Sequence, residues 1–466
     1  MWVVLLLSLR PEACALETEI LAKTDDIFPN FFSANQANYE VDVAYSGTWQ
    51  RLDWTLDKTG TLTISGTGDM RNFVSYSSAE AWRAYIDDIY NVVISEGITS
   101  VGNYAFGGCK NLTALEIPNS VKYIGVDAFE ACTNLKEITI PGSIESIGEY
   151  AFCGAGLRNV IIEDGVTDIK RDAFSGCLSL SDIVLPNSIL HIGYGAFANC
   201  QSVETIEIPT DLTEIEAMTF QGCSKLKSVK IPDGVRTIGS EAFSACIGLE
   251  NVIIPEGVTL IAESAFSDCS SLEELAIPSS VEHIGNGAFY RSGIKSFTIP
   301  EKVSVIGNST FSGCGNLTNV TIPVSVINIE YYAFYNCDNL KDVYYRGLQK
   351  QWTEIAIDDP NEWLKNAEIH YITPDLVLPS SLTAIDSEAF TGGAFTYVLV
   401  PAGVTEIGSG AFAGCPNLRY VEICGTQTEI DDAAFDGVTG LTIIAPSGSK
   451  AETWATQHSV NFQPAA

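Results

Sequence analysis

The sequence predicts a β-rich solenoid, a stack of short coils with helical or 3-10 turns between strands, capped at both ends. Three observations carry this reading. First, a phenylalanine following a small residue recurs at Phe106, Phe129, Phe152, Phe174, Phe197, Phe220, Phe243, Phe266, Phe289, Phe311, Phe334, Phe390, Phe412 and Phe435. The step is 23 residues, with 22 after Phe152, Phe289 and Phe390 and a single step of 56 after Phe334. A fixed period of this size marks a repeat architecture. Second, the unit N-L-x-x-I-x-I-P-x-x-V-x-x-I-G-x-x-A-F-x-G-C-x, clean from Asn111 to Cys132, spaces its apolar positions neither as a helix nor as a long alternating strand. It fits a coil that turns corners. Third, 46% of the 466 residues are hydrophobic and 18% charged, enough apolar material for a large core despite a net charge of −33. That charge also argues against nucleic acid or an anionic membrane surface as a main partner, since both require a basic footprint.

Along the chain, Trp2 to Leu9 is a short apolar run followed by Ala13-Cys14-Ala15, a small-x-small site. Residues 1–15 therefore read as a secretory signal, although no basic residue precedes the run; the alternative is an unstructured apolar terminus. Residues 16–45 carry no repeat signal and read as a linker. In residues 46–87, Trp54-Thr55-Leu56, a turn ending at Gly60, and Thr61-Leu62-Thr63-Ile64 form a hairpin pattern. Trp82, Tyr85, Ile86 and Ile89 then recur at helical spacing, completing an N-terminal cap. No later stretch approaches the ~20 apolar residues of a membrane span.

Repeats occupy 88–345 and 373–445. In each, Leu-x-x-Ile-x-Ile is a short strand closed by Pro, which cannot donate to a ladder; Ser95, Glu163 and Cys424 replace the Pro in three units. Glycine after the next Ile is a preference only, because Lys170, Glu216 and Ala262 also fill that place. Three residues after Phe stands a cysteine column: Cys109, Cys132, Cys177, Cys200, Cys223, Cys246, Cys269, Cys314, Cys337 and Cys415. The 22-residue units lack it, so the side chain plugs a corner of the coil. Stacked side chains point the same way rather than at one another, so free buried thiols are expected in preference to disulfides. One coil alone buries too little apolar surface to offset its ordering entropy, whereas stacked coils share faces. The interruption at 346–372 carries Trp352, Ile355, Ile357, Trp363, Leu364, Ile369 and Tyr371, which predict a small local core. Residues 446–466, with Trp454 in a short helix and a final Val460-Asn461-Phe462 strand, predict the C-terminal cap.

The Ile-Pro-x-x-Val-x-x-Ile-Gly-x-x-Ala-Phe-x-Gly-Cys unit resembles the BspA-like leucine-rich repeat family of surface and secreted proteins. The leader Trp54 to Gly68 is similar to the segment that precedes such arrays, and Val343 to Tyr371 to one that often closes them. The resemblance implies a right-handed leucine-rich-repeat solenoid with one short parallel strand per turn. It also implies an extracellular recognition or adhesion protein, binding a host extracellular or microbial surface protein or glycan through its concave face. It supplies no catalytic residues.

The residues agree with a non-enzyme. His191, His283, His370 and His458 form no motif, and no P-loop, nucleophile elbow or calcium loop occurs. No catalytic group, metal or cofactor is expected, and the chain is expected to act as a monomer. The outward strand positions are mostly polar or β-branched. Near the C-terminal end, Tyr344, Tyr397, Leu399 and Tyr420 are expected to form an exposed aromatic patch, the candidate ligand-binding site. Two other readings compete with recognition: a structural spacer without a specific ligand and, more remotely, an enzyme with a site at the insertion.

Overall fold

In the computed structural model, residues 42–75, 78 and 80–465 are described. The signal segment, most of the linker and Cys14 lie outside the described residues. The first strand, Val43–Trp49, begins within the stretch read as linker and pairs antiparallel with Leu52–Asp57. Its first residues are exposed, so no alternation betrays it. Leu52–Asp57 pairs in turn with Thr61–Gly66, burying Leu52, Trp54, Leu56, Leu62 and Ile64 on one face. In the intervening turn, Asp57 Oδ1 accepts the Thr59 and Thr61 amides, both at 2.8 Å. Thr61–Gly66 then pairs parallel with Asn91–Ile94 and starts the ladder. The helical segment Ala81–Asp88 is a 3-10 helix carrying buried Trp82 and Arg83.

Most coils contribute to two sets of parallel strands. The longer strands stack in register, as in Asn159↔Glu137 and Ile161↔Thr139. A second ladder of two-residue strands runs along the x-Ile pair before the glycine position, as in Ser146↔Asp168. Between them lie the apolar positions; in one coil Leu135, Ile138, Ile140, Ile144, Ile147, Ala151 and Phe152 are all buried. The glycine preference has a steric cause. A Cβ on Gly148 would lie 2.5 Å from the Ile124 carbonyl oxygen of the preceding coil.

The corner that holds Phe has one hydrogen-bond direction. Tyr104, Phe106 and Gly108 donate their amides to Val126, Ala128 and Glu130 of the next coil at 2.8–2.9 Å, and later coils repeat this. The rings themselves stack from Phe106 to Phe334 at centroid spacings of 5.1–6.0 Å, beginning on Trp82. The first coil would leave bare carbonyls, and the cap covers them: Phe73 N donates to Asn103 O, Trp82 Nε1 to Ala105 O and Arg83 Nη1 to Gly107 O, each at 3.0 Å.

Two expectations need correction. The interruption is not a separate local core. Its strands Ala356–Ile357 and Glu368–His370 extend both ladders by a rung, and Trp352, Trp363, Leu364 and Ile369 pack on the repeat core. The stack also ends there. Among the described residues no pairing joins Glu368–His370 to the next strand, Leu376–Val377. The apolar core running from Leu52 to Leu364 is distinct from the one running from Leu378 to Ala455. The second segment has its own ring stack, Phe390, Phe412 and Phe435, closed by Trp454. Its cap is the helix Lys450–Gln457, whose N-cap Ser449 accepts the Glu452 amide at 3.2 Å, followed by strand Asn461–Pro464 paired with Thr442–Ala445.

Candidate functional site: the outward face of the longer ladder

Alternation along each longer strand sends one set of side chains into the coil and the other out. The outward set stands one coil apart, close to the ~4.8 Å spacing of strands. It contains Glu116, Thr139, Glu207 and Lys230, which strand solvation explains, and also apolar residues left in water: Val184 is 57% exposed and Ile253 52%. The strands beneath Val184 and Ile253 are each hydrogen-bonded in register to the strand of the preceding coil, which holds this surface regular.

The four aromatic-patch candidates separate. Tyr344 is 45% exposed on strand Asp342–Tyr345. Tyr397 and Tyr420 are buried, at 4% and 9%, and Leu399 is half-buried. The exposed-patch reading therefore fails for these two tyrosines. Alternation does send them outward, but Leu348 and Ile372, from the two ends of the interruption, lie over them with Ile444 and Ala465. Tyr397 and Tyr420 face each other in register, rings 5.8 Å apart, and the Tyr397 hydroxyl donates to Glu422. Burial pushes both phenols above their ordinary range, and the Glu422 contact adds to this at Tyr397. The pair is a joint between the two segments.

Around Tyr344 a different group assembles. Strand register sets Asp342 beside Glu368 and Tyr344 beside His370. The His370 and Tyr344 rings stack at 4.8 Å and 18°, and His370 Nε2 lies 2.8 Å from Asp342 Oδ1. One ligand atom from each of Asp342, Glu368 and His370 falls within 4.8 Å of the others. Sequence reading missed this group because Asp342 sits 26 and 28 positions from Glu368 and His370, across the irregular step. The other histidines lie elsewhere: His191 Nε2 is 3.0 Å from Glu216 Oε1, His458 Nε2 is 3.1 Å from Asp432 Oδ1, and His283 is exposed.

The cysteine column is buried and its thiols are free. Beyond filling the corner, each thiol from Cys132 onward approaches the carbonyl of the preceding coil's Phe, as in Cys132 Sγ to Phe106 O at 3.3 Å and Cys246 Sγ to Phe220 O at 3.1 Å. Burial pushes the Cys109, Cys223 and Cys269 thiols up from 9.0 to about 12. A raised folded value means that the protonated column stabilises the fold fully below about pH 9, and that this contribution is lost as pH climbs toward 12. Urea midpoints should thus fall between pH 8 and pH 10.5. In native protein at pH 8, iodoacetamide should modify exposed Cys424 and spare the column, as peptide mass mapping would show.

Comparison with known proteins follows the geometry. A profile of the BspA type leucine-rich repeat region (6 copies) matches residues 84–204, 145–271, 190–317, 237–357 and 368–453. No curated protein matches the chain. Among solved structures, a leucine-rich repeat protein from Eubacterium ventriosum is 25% identical over 78% of this chain and 93% of its own, with a TM-score of 0.41. A leucine-rich cell surface protein from Faecalibacterium prausnitzii is also 25% identical, covering 68% of this chain and 99% of its own, with a TM-score of 0.39. A leucine-rich repeat protein from Bacteroides ovatus is 23% identical over 91% and 100%, with a TM-score of 0.38.

Proposed function

Because the chain belongs to the BspA-type leucine-rich repeat family, we propose that it is a non-catalytic extracellular recognition protein. In this reading it binds a protein or glycan of a host or microbial surface through the outward face of its longer ladder. The observation that carries the proposal is the solvent-facing Val184 and Ile253, each on a strand paired in register with that of the preceding coil. Apolar side chains held in water on a preformed surface lower the entropic cost of docking and supply buried area once a partner covers them. The apolar run and small-x-small site of residues 1–15 support export. Among the described residues no helix is long and apolar enough to cross a membrane.

The test is a solid-phase screen of the full chain against matrix proteins, mucins and glycans, followed by titration of any binder. One saturable partner is expected. The double variant Val184→Asp plus Ile253→Asp should weaken it roughly tenfold or more, about 1–2 kcal/mol, with an unchanged melting temperature. Absence of any saturable partner would favour the spacer reading, and unchanged affinity in the variant would move the contact off this face.

A further inference from the structure

We propose that Asp342, Glu368 and His370 form a binding site for a divalent transition-metal ion of the Zn2+ type. Three features point there. The first is donor chemistry: two carboxylates and one imidazole, with ligand atoms within 4.8 Å of one another. Zinc takes nitrogen and carboxylate oxygen at about 2.0–2.2 Å in a tetrahedral shell, which puts neighbouring ligand atoms about 3.3 Å apart. Small side-chain rotations reach that spacing. The His370–Asp342 contact opens slightly from 2.8 Å, and Glu368, exposed, swings in. Calcium wants six to eight oxygens and magnesium an octahedral shell, so neither suits this set.

The second feature is electrostatic. Asp342 and Glu368 stand directly beside each other on adjacent parallel strands, a like-charge pairing that destabilises a sheet unless something compensates. Two cations close in sequence, Arg346 and Lys365, are engaged elsewhere, by Glu301 at 2.5 Å and by Asp359. A dication placed between the carboxylates and the imidazole removes the repulsion. The third is preorganisation: the Tyr344 ring stacked on His370 fixes the imidazole plane before any ion arrives. Three protein ligands leave a fourth position facing solvent, open to water or to an oxygen of a bound molecule. The site stands independently of whether the ladder face binds a partner.

The experiment is calorimetric titration of ZnCl2 into chelator-treated full-length protein carrying Cys424→Ser, which removes as a competing ligand the thiol that is exposed among the described residues. One zinc per chain is expected, with affinity falling at least tenfold in Glu368→Gln and further in His370→Gln. His191→Gln should leave it unchanged, and MgCl2 in place of ZnCl2 should give no saturable heat. Glu368 is exposed, so its variant decides the matter even if His370→Gln lowers stability. Lack of saturable zinc binding, equal affinity in wild type and Glu368→Gln, or loss of the site with His191→Gln would each overturn the proposal.

Discussion

Alanine at Phe220 is expected to cost the first segment about 3–5 kcal/mol, the range for truncating a fully buried phenylalanine. Phe220 is fully enclosed, its ring stacked between Phe197 at 5.9 Å and Phe243 at 5.4 Å. The removed ring leaves a void that its neighbours cannot fill, because each is held by a ladder rung on either side. In a solenoid each coil contacts only the next, so the damage lands on two interfaces at mid-array. Urea unfolding followed by tryptophan emission measures it, since Trp82 lies at the start of this segment and Trp352 and Trp363 at its end. Phe220→Leu, which keeps most of the volume, should recover more than half the loss. A penalty below about 1 kcal/mol for the alanine variant would mean that the ring stack contributes little.

The second large effect is expected at Asn361. It is wholly buried, and its side chain makes three contacts. Oδ1 accepts the Phe334 amide at 2.9 Å, and Nδ2 donates to Glu330 O at 2.9 Å and Asp358 O at 2.6 Å. In every earlier coil the Phe amide donates to a backbone carbonyl of the following coil, as Phe311 does to Ala333. The rung that follows Phe334 has no Phe corner, and Asn361 supplies that acceptor with a side chain. Asn361→Ala leaves buried backbone groups unpartnered and should cost about 2–4 kcal/mol. Asn361→Asp keeps the acceptor for Phe334 but turns a carboxylate toward two carbonyls, so it should be at least as harmful. Both variants should shift the Trp363 signal while leaving the second segment, reported by Trp454, near its normal midpoint.

The coil itself is readable in the sequence because its inward positions are chemically narrow. Phe, Ala, Cys and the Ile pairs meet only their equivalents one coil away, so the pattern survives copy after copy. What one coil does to the next is harder to read. The glycine after Ile reflects the approach of the Ile124 carbonyl to Gly148, a contact between residues 24 positions apart. Period alone does not reveal it. The thiol contacts to Phe carbonyls have the same character. At 346–372 the tryptophans suggest a local core. The two short strands that lengthen the ladders carried the better signal. Alternation placed Tyr397 and Tyr420 on the outward face, and the structure agrees on direction. It could not tell that Leu348 and Ile372 cover them. Asn361 is one polar residue in an irregular stretch that no spacing marks, and the Asp342–Glu368–His370 group needs strand register that only the fold supplies.

The one-way hydrogen bonding at the Phe corner has a consequence for assembly. At this corner, a solenoid cut between two coils carries bare carbonyls on one face and bare amides on the other, and those faces fit each other. Copies of such a fragment would join head to tail, a contact that repeats without closing and so grows into fibres. Trp82 and Arg83, which contribute donors at one end, and Asn361, which contributes an acceptor at the other, act as chain terminators for that polymerisation.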